Sequence, residues 1–436
     1  MRTRNLRHVA AAMVALSLVA AACGDDDDDD AAPTAEDTGE TSEAVTATTE
    51  AVVATTAPSA TTAAPEPTTA PADTSAPAES TAPAGSVAPV ECDSPDPVVL
   101  QLQWYAQAQF AGYYAAADQG FFEAMCLDVE MLEGAVDIQP HVVLANGDAD
   151  FATTWVPKAL AVREGGGNIV DIAQIFQRSG TLQVSFKDAN ITTPEDFAGK
   201  NIGNWGFGNE YEVFAALGQA GLDPASDVTL VGQDFNMNAL LDGSIDAAEA
   251  MTYNEYAQVL EAVNPDTGEL YTPEDFNVIS YEDVGVGMLQ DSIWADGERL
   301  ANDPEYQDIA VRLVAASIQG WAYCRDNVQE CTDIVLAAGT TLGASHQLWQ
   351  MNEINKLIWP AENGVGFIDQ AAWDRTADIA QNTPNLEGAT VLTAPPDADA
   401  FTNDIVEAAW ALLGDSVDLE GADYQPIEVT LNEGGN

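Results

Sequence analysis

Aromatic side chains recur where predicted strands end, and their type suits them to hold a flat ligand. Trp104 and Tyr105 stand at and after the end of the strand predicted over 98–104, and Phe110 follows shortly afterwards. Four more aromatic residues follow other predicted strands: Trp155, Trp205, Phe207 and Tyr253. Each stacked pair of rings contributes about 0.5–1.5 kcal/mol beyond the burial of apolar area. We therefore expect these residues to line a site for a flat heterocycle. The alternative for each ring is packing in the core.

Polar residues near the same strand ends could bind the edge of a ligand. The loop Gly206–Glu210 opens a predicted helix, so its backbone N–H groups could hold an anion or a carbonyl oxygen; a tight turn that needs glycine is the alternative. Glu210, Glu249 and Asn254 could accept hydrogen bonds from exocyclic amines, or serve as caps and surface groups. Lys158 is one of four lysines. It suits an anionic ligand, or else marks a solvated helix face.

The predicted elements that position these residues form two α/β lobes. The first set has strands at 98–104, 127–132, 151–154, 169–176 and 182–186, separated by helices at 112–120, 139–146 and 157–164. The second set has strands at 200–204, 228–231, 247–251 and 276–280, with helices at 210–220, 237–241 and 255–263. A strand within 284–295 returns to the first lobe, and helices follow at 306–326, 332–338, 346–358, 369–381 and 401–413. Alternating strands and helices predict largely parallel sheets, whose ligands bind beyond the carboxyl ends of the strands.

The predicted domain boundaries follow from this order of elements. Lobe 1 takes about 97–188 and 285–390, lobe 2 takes about 189–284, and a C-terminal helix and tail take 391–436. The two crossings between lobes, near 186–192 and 281–285, are expected to form the hinge of a cleft.

The N-terminus has the pattern of an export signal. Three arginines precede an apolar run from Val9 to Ala22, which is shorter than the roughly 20 residues of a membrane span and typical of a signal peptide. Small residues lead into Cys23, as in the lipobox of bacterial lipoproteins, although Ala20 stands where that pattern has Leu, Ile or Val. We expect residues 1–22 to be removed and Cys23 to carry a lipid anchor on the extracytoplasmic face of the membrane. A signal peptide without lipidation is the alternative.

Residues 23–91 are predicted to be a disordered tether. Residues 24–90 contain no aromatic residue, Lys or Arg; they begin with six aspartates and continue as Thr, Ala, Pro and Ser. Such a segment has too little apolar surface to offset its chain entropy. The predicted folded domain is therefore 92–436.

The net charge and the cysteine content limit which partners and which kinds of site the chain can have. The net charge of the whole chain is −58, which excludes a nucleic-acid partner because phosphate binding needs a basic surface. Four cysteines lie in the domain, an even number in an exported chain. We expect the disulfides Cys92–Cys126 and Cys324–Cys331. A zinc site is disfavoured, since no C-x-x-C spacing occurs and the mature chain has two histidines.

Three segments carry a family resemblance. They are LQLQWYAQAQFAGYYAAADQGFFEAMCLDVEMLEG at 100–134, ITTPEDFAGKNIGNWGFGNEYE at 191–212 and GSIDAAEAMTYNE at 243–255. In this order they resemble the superfamily of thiamine-pyrimidine-synthase-like and sulfonate-binding-like proteins, over about 97–390. The resemblance implies a type II periplasmic-binding-protein fold whose two lobes close on the ligand. It also implies that the protein is a monomer and that its partners are the permease and the ATPase of an ABC importer.

The enzymes of that superfamily need residues that this sequence lacks at the matching positions. They hold pyridoxal phosphate on a lysine and take a histidine four residues later as donor; the matching positions here are Thr154 and Lys158. Their iron-binding cysteine run is also absent around Gly285–Leu289. The resemblance therefore implies a transport protein without catalytic residues or cofactor.

Three hypotheses about the ligand remain. The first is a thiamine pyrimidine precursor or a related flat heterocycle such as riboflavin, favoured by the many aromatic residues. The second is nitrate, a sulfonate or taurine in the same fold. The third is the pyrimidine-forming enzyme.

Overall fold

The structure, a computed structural model, describes residues 89–206 and 208–435. The predicted signal peptide, Cys23, nearly all of the predicted tether and Phe207 lie outside the described residues. Within the described part of the chain, no helix combines the length and the apolarity that a membrane span requires.

Ten strands form the sheets, and most lie within a few residues of their predicted positions. They are β1 Asp96–Gln101, β2 Leu127–Leu132, β3 Phe151–Trp155, β4 Ile169–Gln174, β5 Thr181–Phe186, β6 Asn201–Asn204, β7 Thr229–Gly232, β8 Ala248–Met251, β9 Phe276–Ser280 and β10 Asp291–Asp296.

Thirteen α-helices connect or cover these strands in the described chain. They are α1 Ala111–Asp118, α2 Phe121–Ala124, α3 Pro140–Ala145, α4 Val156–Glu164, α5 Tyr211–Gln219, α6 Asn238–Leu241, α7 Glu255–Leu260, α8 Gly297–Asn302, α9 Pro304–Asp326, α10 Val328–Ala338, α11 Ala344–Ile358, α12 Gln370–Asn382 and α13 Asp404–Leu413.

The first lobe is built on a five-stranded sheet in the order β2-β1-β3-β10-β4. Strand β1 pairs in parallel with β2 and β3, as the alternation of strands and helices predicts. Strand β10 returns from the second lobe and runs antiparallel to both β3 and β4. This return places Asp291 directly opposite Trp155.

The second lobe contains a three-stranded sheet, β8-β5-β9, and the parallel pair β6-β7. A parallel bridge between Ile202 and Ala247 joins the pair to the residue before β8. The carboxyl ends of β6, β7 and β8 therefore lie at one edge of this lobe. They carry the segments that begin at Trp205, Gln233 and Thr252.

The expected place of β5 was wrong. The sequence assigned 182–186 to the first lobe, but β5 pairs antiparallel with β8 and β9 in the second lobe. The chain therefore leaves the first sheet after β4, at 175–180, instead of near 186–192. This short crossing lies beside the return crossing, since Gly180 N donates to Gln290 Oε1 at 2.9 Å. Two adjacent apolar strands do not reveal in their sequence that a lobe boundary separates them.

Helix α9 packs in the centre of the first lobe. Asp303 caps its N-terminus by accepting hydrogen bonds from Glu305 N and Tyr306 N. Helix α1 crosses it at Gly112 and Gly320, where a Cβ on Gly320 would lie 1.9 Å from the Gly112 carbonyl oxygen. Because both residues lack a side chain, the helices approach closely and bury the rings of Tyr113 and Trp321.

Two disulfides join cysteines of the first lobe. Cys92 pairs with Cys126, and Cys324 pairs with Cys331. The first attaches the segment before β1 to the start of β2, and the second fastens the end of α9 to α10. The polar tail predicted after α13 packs along α11, where Ile427 N donates to Asn352 Oδ1 at 2.8 Å.

Candidate functional site

A cavity of about 510 Å³ lies between the two lobes. The first lobe contributes residues that follow β1 and β3, and the second lobe contributes residues that follow β6, β7 and β8. Six aromatic residues line it: Trp104, Tyr105, Trp155, Trp205, Phe235 and Tyr253. The strand ends of both lobes thus meet at one site, as expected for ligand binding at the carboxyl ends of strands.

Most of the expected ligand-binding residues lie at this cavity. Trp104, Tyr105, Trp155, Trp205, Tyr253 and Asn254 line it, and Lys158 does as well. Phe110 was expected there, but it is completely buried in the core of the first lobe. It directly precedes α1, which packs on α9, so its ring joins the apolar contacts of those helices. Glu210 is not among the lining residues either; its carboxylate accepts a hydrogen bond from Gly208 N at 2.8 Å.

Several residues that line the cavity are not among those that the sequence predicts to bind the ligand. Phe235 follows β7 and thus lies beyond a strand end, as Trp205 does after β6. Gln107, Gln109 and His141 also line the cavity. The segment Gly339–Leu342, between α10 and α11, closes one side. Its sequence carries no signal of this role, because its position depends on how two distant helices pack.

An aromatic cluster joins the lobes at the cavity. The ring of Phe235 lies 5.2 Å from Trp104 and 5.9 Å from Trp205, measured between centroids. The Phe235 and Trp205 rings are nearly parallel, at 24°. Trp205 is held in place from the backbone, since its N–H donates to Glu249 Oε2 at 2.8 Å.

Trp155 is fixed by hydrogen bonds to β10 and to the segment that follows β1. Its indole N–H donates to Asp291 Oδ2 at 2.7 Å, and its backbone N–H donates to Gln103 Oε1 at 2.9 Å. Gln109 Nε2 also donates to the Asp291 carboxylate, at 3.1 Å. Burial raises the pKa of Asp291 to about 6, against the effect of these donors and of Lys158. Asp291 is therefore ionised at neutral pH and orients the indole.

Lys158 supplies a positive charge at the cavity. Its Nζ lies 4.7 Å from the centroid of the Trp155 ring, a cation–π contact. Burial lowers its pKa to about 8, which Asp291, Glu210 and Glu249 partly oppose. Burial and the charge of Lys158 lower the pKa of His141 to about 4. At neutral pH the cavity thus holds a charged lysine and a neutral histidine.

Asn254 is bound on both sides of its amide. Its Nδ2 donates to Glu255 Oε1 at 2.7 Å, and its Oδ1 accepts from Gln350 Nε2 at 2.8 Å. His346 Nε2 lies 2.9 Å from the same Oδ1, and His346 Nδ1 lies 3.0 Å from Glu261 Oε2. Helix α11 thereby fixes Asn254 in place. The expected role of Asn254 as a free acceptor for a ligand amine does not fit this arrangement.

The described residues contain no cluster of three or more His, Cys, Asp or Glu side chains able to hold a metal ion. The polar groups at the cavity are side-chain amides, two carboxylates, one lysine, one histidine, the hydroxyls of Tyr and Thr residues, and indole N–H groups. Such groups orient a small organic ligand through hydrogen bonds while aromatic walls cover its faces.

The chain resembles known proteins in sequence and in fold. The chain is 26% identical over 328 residues to the riboflavin-binding protein RibY of Chloroflexus aurantiacus, covering 71% of this chain and 86% of that protein. It is 21% identical over 242 residues to a formylaminopyrimidine-binding protein of Halalkalibacterium halodurans, covering 55% and 70%.

Among solved structures, the periplasmic sulfonate-binding protein SsuA of Methylobacillus flagellatus superposes with a TM-score of 0.52 at 16% identity, covering 78% of this chain and all of that one. This likeness shows a periplasmic-binding-protein fold. The model of the NMT1/THI5 like family matches residues 107–331, slightly more than half of the sequence. The chain therefore belongs to the NMT1/THI5 like family.

Proposed function

We propose that this protein is the extracytoplasmic solute-binding component of an ABC importer and that it captures a flat heteroaromatic molecule. The lobes close on the ligand, and the loaded protein delivers it to a permease driven by an ATPase. Lipidation at Cys23 would hold the domain at the membrane surface.

The observation that carries this proposal is the distribution of aromatic residues around the cavity. Trp104 and Trp155 come from the first lobe, whereas Trp205, Phe235 and Tyr253 come from the second. A flat ring bound between them would contact both lobes, so binding energy would favour the closed arrangement. Each ring stacked on the ligand would add about 0.5–1.5 kcal/mol beyond its area.

The size of the cavity favours a ligand of more than one ring. Its volume of about 510 Å³ lies within the range of roughly 300–1,000 Å³ that is usual for pockets holding drug-sized molecules. The names of the relatives support two ligand types, a flavin and a substituted pyrimidine. A riboflavin-sized molecule would fill this space better than a single pyrimidine ring.

Thermal unfolding of the purified protein with a ligand panel tests the proposal. A ligand that binds only the folded state raises the unfolding temperature with its concentration. We expect stabilisation by riboflavin or by an aminopyrimidine. A shift with taurine, other sulfonates or nitrate alone would refute the heterocycle proposal while leaving a transport role.

A small anion is the second candidate because the charged Lys158 lines the cavity. Two observations make it the weaker candidate. Among the lining residues of the described chain, Lys158 is the only lysine or arginine, and six aromatic residues contribute to the remaining walls. A nitrate or sulfonate would leave most of this volume unfilled.

The pyrimidine-forming reaction is the remaining alternative. Lys158 and His141 do line one cavity, but the position matching the cofactor-binding lysine is the fully buried Thr154, whose Oγ1 lies 3.2 Å from His141 Nδ1. This arrangement supports binding over catalysis. A Schiff-base absorbance at one equivalent of pyridoxal phosphate, lost in Lys158→Met and followed by chemical loss of His141, would favour the enzyme instead.

A further inference from the structure

Lys158 is held at the cavity by residues from both lobes. It lies on α4 one turn after Trp155, and its Nζ is 4.7 Å from the centre of that indole ring. Gly208 of the second lobe covers the aliphatic stem, since a Cβ at Gly208 would lie 3.5 Å from Lys158 Cγ. The lysine is therefore confined between the lobes when they are in this arrangement.

The ammonium of Lys158 has no anionic partner of its own in the described chain. No hydrogen bond or ion pair within 4.0 Å joins it to any described residue. The carboxylates whose charges act on it already accept other hydrogen bonds: Asp291 from Trp155 and Gln109, Glu210 from Gly208, and Glu249 from Trp205.

Lys158 is half-buried, and an ammonium partly withdrawn from water without a direct acceptor is unfavourable, so an oxygen of the ligand would offset this cost. The other lining donors do not provide a second cation, because His141 is neutral above its pKa of about 4. A ring bearing only amino groups would instead place N–H donors against the ammonium. Lys158 would thus favour rings that carry oxygen over rings that carry only amines.

We propose that the Lys158 ammonium donates a hydrogen bond to a carbonyl or anionic oxygen on the ligand ring, and that it makes the cavity select oxo-substituted heterocycles over amino-substituted ones. This inference rests on the proposed function, because it assumes a flat ring between the aromatic walls. It names a substrate class, the oxo-substituted rings such as flavins and dioxopteridines, and one residue that selects it.

The pH dependence of binding follows from the charge of Lys158. Its pKa of about 8 means that it is mostly charged at pH 7 and about nine-tenths neutral at pH 9. The titratable groups that act on it are Asp291 of β10, Glu249 of β8, Glu210 before α5 and His141 of α3. Asp291 is already ionised and His141 already neutral over this range. Burial raises the pKa of Glu249 well above its usual value, so this carboxyl could also titrate in the range. Any pH dependence that remains in a variant lacking Lys158 would reveal its contribution.

Calorimetric titration of the wild-type protein and two variants tests the inference. The probes are riboflavin, lumazine (a dioxopteridine) and 2,4-diaminopteridine, which shares the lumazine ring but carries amines. Lys158→Met removes the charge and keeps most of the length of the side chain. Lys187→Met is the matched control, because Lys187 is exposed and lies outside the cavity.

We expect the wild-type protein to bind lumazine at least about tenfold more tightly than 2,4-diaminopteridine at pH 7. Lys158→Met should lose about tenfold or more in affinity for riboflavin and lumazine and little for the diamine, and Lys187→Met should change none of these. Riboflavin affinity of the wild type should fall by up to about tenfold between pH 7 and pH 9, and this dependence should vanish in Lys158→Met.

Three results would overturn the inference while leaving the proposed function intact: equal binding of the two pteridines, no loss of riboflavin affinity in Lys158→Met, or an unchanged pH profile in that variant. If the wild type binds none of the three probes nor an aminopyrimidine, the proposed function fails and the inference fails with it. Thermal unfolding at pH 7 checks that the variant is folded. We expect it to be at least as stable as the wild type, because the folded state penalises the charged lysine.

Discussion

The rings of Trp104 and Phe235 contact each other across the cleft, with their centroids 5.2 Å apart and their planes at 57°. Trp104 follows the first strand of lobe 1, and Phe235 follows the second strand of the β6-β7 pair in lobe 2. Phe235 is still 36% exposed, so this contact is made at the mouth of the cavity and not in a core. A ligand between the lobes would therefore be covered by this ring contact, which joins the two lobes and is not part of the core of either one.

Replacing Phe235 with alanine should weaken ligand binding and lower the stability of the free protein only slightly. The variant loses the ring contacts with Trp104 and Trp205, each contributing about 0.5–1.5 kcal/mol. We expect riboflavin affinity to fall by about tenfold in a titration, with an unfolding temperature that is lower by only a few degrees. Leu386→Ala, at a side chain 51% exposed, is the control. Unchanged affinity in Phe235→Ala would show that the lobes do not close through this contact.

The buried contact between His346 and Glu261 should matter more for stability than a surface pair. His346 is fully buried on α11, and Glu261, just after α7 of the second lobe, is 2% exposed. His346→Leu leaves the Glu261 carboxyl buried without this partner, which we expect to cost about 3–5 kcal/mol in urea unfolding. Glu261→Gln keeps a hydrogen-bonding group and should cost less. Equal losses in the two variants would show that the carboxyl does not depend on the histidine.

The two disulfides should contribute unequally to stability. Cys92–Cys126 closes a loop with a sequence separation of 34, whereas Cys324–Cys331 spans a separation of 7. On the chain-entropy account, the longer loop contributes about 4 kcal/mol and the shorter one about 2.5 kcal/mol. Paired Cys→Ala variants, compared by chemical unfolding, should therefore lose more stability at Cys92 and Cys126. The reverse order would show that packing around the buried Cys324 and Cys331 dominates over loop closure.

Stability should fall as pH rises from 5 to 8. Asp171 is fully buried, its Oδ2 has no hydrogen-bond partner among the described residues, and burial raises its pKa to about 8. Burial likewise raises the pKa of Glu212 to about 7. The folded protein thus keeps protons that the unfolded chain loses near pH 4, so its stability is greatest in acid and declines through the folded pKa values.

Unfolding free energies measured across this pH range test the effect of Asp171. Each group contributes at most about 1.4 kcal/mol per pH unit. Asp171→Asn should make the decline shallower, and Asp188→Asn, at an exposed position, should leave it unchanged. A slope identical in Asp171→Asn and the wild type would mean that the carboxyl is ionised in the folded protein.

Much of this site was predictable because strand ends are local features of the sequence. Trp104, Trp155 and Trp205 each end or directly follow an apolar strand, and parallel strands bring such ends together. Phe235 satisfies the same criterion, but its loop, Gln233–Asn236, is otherwise polar and did not attract a ligand-binding interpretation. Phe110 was misplaced because a residue that precedes a helix can face either the cleft or the core, and only the crossing of α1 over α9 decides this.

Long-range contacts account for what the sequence did not reveal. Trp155 is oriented by Asp291, which is 136 positions away and reaches it through the antiparallel return of β10. The sequence of α4 is compatible with an exposed position for Lys158. Only the approach of Gly208 from the other lobe confines its side chain. The placement of β5 failed for a related reason, since strand pairing and not strand sequence determines the lobe.

Isothermal titration of the purified protein with riboflavin, an aminopyrimidine and taurine tests the central claim most directly. That claim is that the cavity between the lobes holds a flat heteroaromatic ring. We predict saturable one-to-one binding of at least one of the two ring compounds, weakened by Trp205→Ala, and no measurable binding of taurine. Binding of taurine alone, or binding of a ring compound that Trp205→Ala leaves unchanged, would contradict it.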